Sequence, residues 1–135
     1  MDAKLKTIAE LCFNASRDGT MSFPEIVQSL MEAGFESYTV DLRQGSATYF
    51  RSSGESVEMR ASSLSGDIAA VFDKAKIEAA IREAQSGAPG YTYDGFCKKV
   101  RAAGCAGYMV SFLGKRALYY GRTGETHVEL FPQPQ

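Results

Sequence analysis

The sequence is poor in the residues that usually carry out chemistry, with one histidine and three cysteines among its 135 residues. The cysteines, Cys12, Cys97 and Cys105, lack the paired spacing of a zinc site, and no glycine-rich phosphate loop or dinucleotide fingerprint occurs. No metal or cofactor is therefore predicted. Cys97 lies on the apolar stripe of a predicted helix and is expected to be buried, whereas Cys105 follows the end of that helix and is expected to be exposed.

Long apolar runs and an excess of one charge are also missing. No stretch of about 18 residues is uniformly apolar, so no membrane-spanning segment is predicted. The first residues begin an amphipathic pattern rather than the apolar centre of a signal peptide. With 15 basic and 16 acidic side chains the net charge is −1 at pH 7, which argues against a nucleic-acid-binding protein. These features predict a reduced, cytoplasmic protein.

What the sequence does contain is an internal repeat. Residues 22–56 align without gaps to residues 92–126, at a constant offset of 70. The identical pairs are Ala33/Ala103, Gly34/Gly104, Tyr38/Tyr108, Val40/Val110, Ala47/Ala117, Tyr49/Tyr119, Gly54/Gly124 and Glu55/Glu125. Each copy begins at a helix-capping residue, Ser22 or Thr92, and its helix ends at a glycine. The spacing indicates a duplicated structural unit.

After each helix-ending glycine the apolar period changes from that of a helix to that of a strand. Apolar and polar side chains alternate from Tyr38 to Leu42, and turns containing glycine separate three short strands in the first copy. The second copy predicts strands near residues 106–113, 116–121 and 125–131, and residues 3–16 and 67–86 have helical spacing.

The sequence thus predicts a single α+β domain over residues 1–135, built by tandem duplication of a helix-strand-strand-strand unit. Repeat one covers about residues 22–60, a linking helix about 67–86, and repeat two about 92–131. The strands are expected to be antiparallel, in one shared sheet or two apposed ones, with the helices packed on one face.

The strands of the second copy are apolar on both faces, which is typical of strands that are covered on both sides. The side chains on the unexpected face are Met109, Leu113, Leu118 and Tyr120. The linking helix, a second protein chain or a small apolar ligand would cover them, and we treat them as a candidate interface.

Tyrosines concentrate on the predicted strands, and four of them form a candidate pocket: Tyr38, Tyr49, Tyr108 and Tyr119. Each offers an apolar ring and one polar tip, so they could line a ligand site between the repeats. The alternative is ordinary packing of aromatic rings across neighbouring strands.

The second copy also resembles a known family. Phe96-Cys97 on a capped helix, Ala103-Gly104, an aromatic residue at 108, Val110 and Tyr119-Tyr120 are similar to the YbcV/YdfO-like family of small bacterial and prophage-encoded proteins. These form a domain of unknown function, and some are labelled phage envelope proteins. The resemblance covers nearly the whole chain but departs from the family at Tyr108, often tryptophan, and Ser111, often aspartate. It implies no catalytic residues.

Three functions are compatible with these observations. The one we favour is a non-enzymatic binding or protein-interaction module that forms a homodimer or binds another protein. The second is a carrier or sensor for a small apolar ligand, with the tyrosine-lined pocket as its site. The third is an enzyme that uses Cys105 or His127, since a nucleophilic enzyme needs a nucleophile beside a base.

Overall fold

The computed structural model describes residues 1–132, which form one antiparallel sheet covered by helices on one face. The elements of the first half are α1 (Ala3–Asp18), α2 (Phe23–Glu32), β1 (Phe35–Asp41), β2 (Ser46–Arg51) and β3 (Ser56–Arg60), followed by a 3-10 turn at Ser62–Leu64. Those of the second half are α3 (Lys74–Ser86), α4 (Tyr93–Ala102), β4 (Cys105–Ser111), β5 (Arg116–Gly121) and β6 (Thr126–Leu130). The predicted α+β class is confirmed. None of the described helices is long and apolar enough to cross a membrane.

The two halves join in the middle of the sheet, whose strand order is β3-β2-β1-β4-β5-β6. At the junction Thr39 of β1 lies opposite Met109 of β4, and Tyr38 and Val40 lie opposite Val110 and Tyr108. Met109 is the residue 70 positions after Thr39, so the pairing is symmetric about this pair. A twofold relation between the halves requires such a register, although the duplication of the sequence unit itself stays a prediction.

The ends of α2 follow the local signals in the sequence. The Ser22 hydroxyl accepts a hydrogen bond from the Glu25 amide at 3.3 Å, and the Glu25 carboxylate accepts one from the Ser22 amide at 2.9 Å. This reciprocal capping box satisfies two amides that the helix leaves without partners. Gly34 and Gly104 follow α2 and α4 with φ of 92° and 93°, so both turn the chain from helix to strand in the left-handed region.

The linking helix begins at Lys74 rather than near residue 67, so it is shorter than predicted. Residues 67–73 instead run past the end of α4, where the Ala69 amide bonds to the Arg101 carbonyl at 3.0 Å and the Asp73 amide to the Ala103 carbonyl at 2.8 Å. The segment therefore satisfies carbonyl groups that a helix end leaves free. Two of its apolar side chains, Ile68 and Phe72, are buried although their backbone is not helical, whereas Val71 is 76% exposed.

The helices bury only one face of the sheet. That face carries Tyr38, Val40, Tyr108, Val110 and their neighbours, which pack against Leu30 of α2, Ile77 of α3 and Val100 of α4. The opposite face, which we call the open face, carries Met109, 38% exposed, together with the half-buried Leu118 and Tyr120. The linking helix was one of the three predicted covers of these residues, and it packs on the other side of the sheet.

Candidate functional site: a tyrosine-lined cavity

A cavity of about 920 Å³ lies between the helices and the sheet. Strands β1, β4 and β5 form its floor, and α2, α3 and α4 supply its walls. Two loops border it. Residues 19–22 connect α1 to α2, and residues 87–91 belong to the connection between α3 and α4. The chain beyond β6 also reaches it, where the ring of Phe131 meets that of Phe23 edge-on with centroids 5.3 Å apart.

Small side chains on the sheet and on α3 border this space. Ala117 of β5 and Ala84 of α3 both line the cavity, and neither extends beyond a single methyl group. The neighbouring lining residues are mostly large, including Tyr119, Ile81 and Phe96. Protein interiors are normally filled to close packing, and the short side chains of Ala84 and Ala117 leave part of this space unfilled.

The structure brings three of the four predicted pocket tyrosines to the cavity. Tyr38, Tyr108 and Tyr119 line its floor, and the Tyr108 and Tyr119 rings lie 5.1 Å apart between centroids. Tyr49 is not among the lining residues, because its ring packs between those of Tyr38, at 5.4 Å, and Phe35, at 6.3 Å.

Sequence reasoning missed two further lining tyrosines, Tyr91 and Tyr93, at the start of α4. The Tyr93 and Tyr108 hydroxyl groups are hydrogen-bonded to each other, which ties the helix to the floor of the cavity. The only local signal for these residues was the Tyr91-Thr92-Tyr93 sequence after a turn rich in glycine and proline. That signal marks a helix start and does not report what the rings face.

The lining phenols are neutral at physiological pH. Burial raises the pKa of Tyr91 to about 12, and it raises the pKa of Tyr38, Tyr108 and Tyr119 well above the ordinary value of a tyrosine. The cause is the loss of water around the phenolate form. The Tyr38, Tyr91 and Tyr119 hydroxyls therefore keep their protons and can donate hydrogen bonds to polar groups of a ligand, whereas one proton of the Tyr93–Tyr108 pair is used between those two hydroxyls.

A cluster of ionic side chains borders the cavity beside β6. Glu129 lines the cavity, and its carboxylate accepts a hydrogen bond from Arg82 of α3 at 3.0 Å. The other carboxylate oxygen of Glu129 lies 3.3 Å from Nε2 of His127, whose Nδ1 lies 3.6 Å from the Glu78 carboxylate. The single histidine is thus held between two carboxylates.

The predicted exposure of Cys105 is wrong, because this residue is 0% exposed. It lies at the start of β4 in the middle of the sheet, and its thiol donates a hydrogen bond to the Gly107 carbonyl at 3.2 Å. Burial raises its pKa to about 11 and that of the equally buried Cys97 to about 12. Strand β5 separates Cys105 from His127, so the two residues of the enzymatic alternative do not meet.

Three of the four candidate interface residues, Met109, Leu118 and Tyr120, lie on the open face, away from the cavity. Met109 and Leu118 are directly paired across β4 and β5, and Val128 of β6 continues the same row. Tyr120 packs over Gly107, and Leu113, in the turn between β4 and β5, is 76% exposed. No group of three potential metal-ligating side chains occurs in the part of the chain that the structure describes.

Comparison with known families gives a match over most of the chain. Residues 12–129 match the family described as "protein of unknown function (DUF1398)", and the match covers all six strands except the last residue of β6, all of α2, α3 and α4, and residues 12–18 of α1. A comparison with curated proteins gave no match. The function has therefore to be argued from the geometry of the cavity and of the open face.

Proposed function

This chain belongs to the DUF1398 family of proteins of unknown function, and we propose that it is a binding protein for a small, largely apolar molecule. The cavity between the helices and the sheet is the proposed site. The narrower resemblance to the YbcV/YdfO-like proteins is part of this proposal, and it adds no activity to it.

The size and lining of the cavity carry the proposal. Sites for small molecules in proteins are typically about 300–1,000 Å³, mostly apolar, with a few polar groups that orient the ligand. A volume of about 920 Å³ bordered by Tyr38, Phe96, Tyr108 and Tyr119 meets that description. The neutral hydroxyl groups supply the polar contacts, and the aromatic rings supply rigid apolar area with little loss of side-chain entropy on binding.

A tryptophan placed inside the cavity tests the proposal. Ala84 lines the cavity, whereas Ala79 lies on the exposed side of the same helix. We expect Nile red, a neutral apolar dye, to bind the unmodified protein with a rise in fluorescence. Ala84→Trp should weaken this binding by at least about ten-fold, because the indole fills the space that the dye needs. Ala79→Trp should bind the dye as the unmodified protein does.

Thermal melts of both variants accompany the titration, so that loss of binding is compared only between folded proteins. Dye binding that is the same in a folded Ala84→Trp variant would place the dye elsewhere and contradict the proposal. The absence of dye binding to the unmodified protein would contradict it as well. The chain has no tryptophan of its own, so each introduced indole also reports locally by its emission.

The open face supports a second candidate function, assembly into a homodimer. Met109, Leu118 and Val128 form a continuous apolar row across three strands, and Leu130 of β6 is 55% exposed beside them. Contiguous apolar surface of this kind marks interaction sites more often than single exposed side chains do. We propose that a second copy of the chain covers this row.

A charge placed in the row should dissociate such a dimer. Leu118→Lys introduces an ammonium group between Met109 and Val128 and should shift the sedimenting species from dimer to monomer without unfolding it. Thr48 occupies the corresponding place in the first half of the sheet and pairs with Glu58, so Thr48→Lys is the matched control and should leave the mass unchanged. An unmodified protein that sediments as a monomer at all concentrations would contradict the dimer.

A further inference from the structure

The charged residues of the cavity indicate the charge of its ligand. Among the described residues that line it, Glu25 and Glu129 are acidic, and none is a lysine, an arginine or a histidine. The chain as a whole has 15 basic and 16 acidic side chains, so basic residues are not scarce. The absence of basic residues from the lining is therefore specific to this cavity and does not follow from the composition of the chain.

An anionic ligand would lose its water in this cavity without gaining a cationic partner from the lining. Moving an unpaired charge out of water is strongly unfavourable even after relaxation of the protein, and hydrogen bonds from phenol hydroxyls offset only part of that cost. A cation, in contrast, would gain favourable contacts in this cavity. The faces of tyrosine rings attract positive charge, and Glu129 offers a carboxylate whose side chain is only 18% exposed.

Arg82 weakens the charge of Glu129 without cancelling it at the cavity. Its guanidinium binds one Glu129 oxygen at 3.0 Å, but the Arg82 side chain is 58% exposed and is not part of the lining. Water screens a charge in that position strongly. The other Glu129 oxygen lies 3.3 Å from Nε2 of His127, which is also absent from the lining, so Glu129 is the member of this ionic cluster that borders the cavity.

We infer that the ligand of this cavity is a lipophilic cation, with its apolar body against the tyrosine rings and its positive charge directed towards Glu129. The inference rests on the proposed function, because it names the class of molecule that the same cavity takes. It also excludes fatty acids, phosphates and other anions as the preferred ligands.

Two probes of nearly the same shape and opposite charge test this inference. Tetraphenylphosphonium and tetraphenylborate both carry four phenyl rings around a central atom. We expect the phosphonium to displace Nile red from the unmodified protein at a concentration at least about ten-fold lower than the borate does. Equal displacement by the two ions, or stronger displacement by the borate, would overturn the inference.

Two substitutions at the ionic cluster should move this preference in opposite directions. Glu129→Gln should reduce the phosphonium-to-borate preference by about five-fold, and Arg82→Gln should increase it, because it removes the guanidinium from one oxygen of the carboxylate. Glu78→Gln changes the same cluster outside the lining and should alter the preference by less than about two-fold. If Glu129→Gln does not fold, the test rests on the unmodified protein and on Arg82→Gln. A phosphonium-to-borate preference that falls or is unchanged in folded Arg82→Gln contradicts the role of Glu129.

The failure of this inference is distinguishable from the failure of the proposed function. If Nile red binds, if Ala84→Trp blocks its binding, and if the phosphonium and the borate displace it equally, the binding function stands and the cation preference fails. If Nile red does not bind, or if Ala84→Trp does not affect its binding, the proposed binding function fails, and the cation preference fails with it.

Discussion

Replacing Gly104 with alanine is expected to destabilise the protein by about 3 kcal/mol, and the same change at the corresponding Gly34 by about 1 kcal/mol. Both glycines have φ above 90°, so alanine suffers backbone strain at either position. At Gly104 the new Cβ would in addition overlap the Val71 carbonyl oxygen and lie 2.8 Å from Cα of Phe72. At Gly34 its nearest neighbour would be the guanidinium at the end of the long Arg51 side chain, at 3.1 Å, which can shift at lower cost than backbone atoms.

Urea unfolding of the two variants and the unmodified protein measures this difference. The larger effect at Gly104 depends on residues 67–73 lying against the end of α4, a contact that the first half of the chain lacks. Equal losses of unfolding free energy at the two glycines would show that this segment does not pack there in solution. Gly54→Ala is a further control, because its φ is 92° and a Cβ there would meet nothing within 4 Å.

The thiols should be strongly protected in the native protein. Burial raises the pKa of Cys105 from 9.0 to about 11, and each unit reduces the thiolate fraction below the pKa ten-fold. At pH 8 the thiolate of Cys105 is therefore about 100-fold less abundant than that of a thiol with the unshifted value, before any loss of access is counted. Cys97, with a pKa of about 12, should react more slowly still.

Iodoacetamide labelling at pH 8, followed by peptide mass spectrometry, tests this protection with and without urea. We expect both cysteines to react rapidly only in urea. Rapid modification of Cys105 in the native protein would contradict its position in the middle of the sheet and would restore it as a candidate nucleophile. Cys12, which is also buried with a raised pKa, should behave like the other two.

The sequence was sufficient for the elements whose signals are local. The capping residues around Ser22, the glycines after α2 and α4, and the alternation from Tyr38 to Leu42 predicted where helices end and strands follow. Each of these depends on backbone geometry within a few residues. The helix predicted at 67–86 failed in its first part for the converse reason, because the partners of Ala69 and Asp73 lie about 30 residues further along the chain.

The candidate site was predictable only in part. The spacing of the strand tyrosines placed them on one face of the sheet, and three of these predicted pocket residues, Tyr38, Tyr108 and Tyr119, line the cavity. Tyr91, Tyr93 and Glu129 join them at the cavity only through the packing of α4 and β6 in the folded chain. The exposure of Cys105 was mispredicted because its surroundings come from β5 and from the segment before α3, and no local pattern reports them.

Nuclear magnetic resonance of ring-labelled tyrosine tests the central claim, that the cavity is the binding site. Five of the seven tyrosines line it: Tyr38, Tyr91, Tyr93, Tyr108 and Tyr119. Tyr49 is buried outside the lining, and Tyr120 lies on the open face. On addition of tetraphenylphosphonium, and separately of Nile red, we predict that the ring signals of the lining tyrosines shift while that of Tyr120 stays in place. A shift at Tyr120 with unchanged signals from the lining tyrosines would place the ligand on the open face and contradict the account.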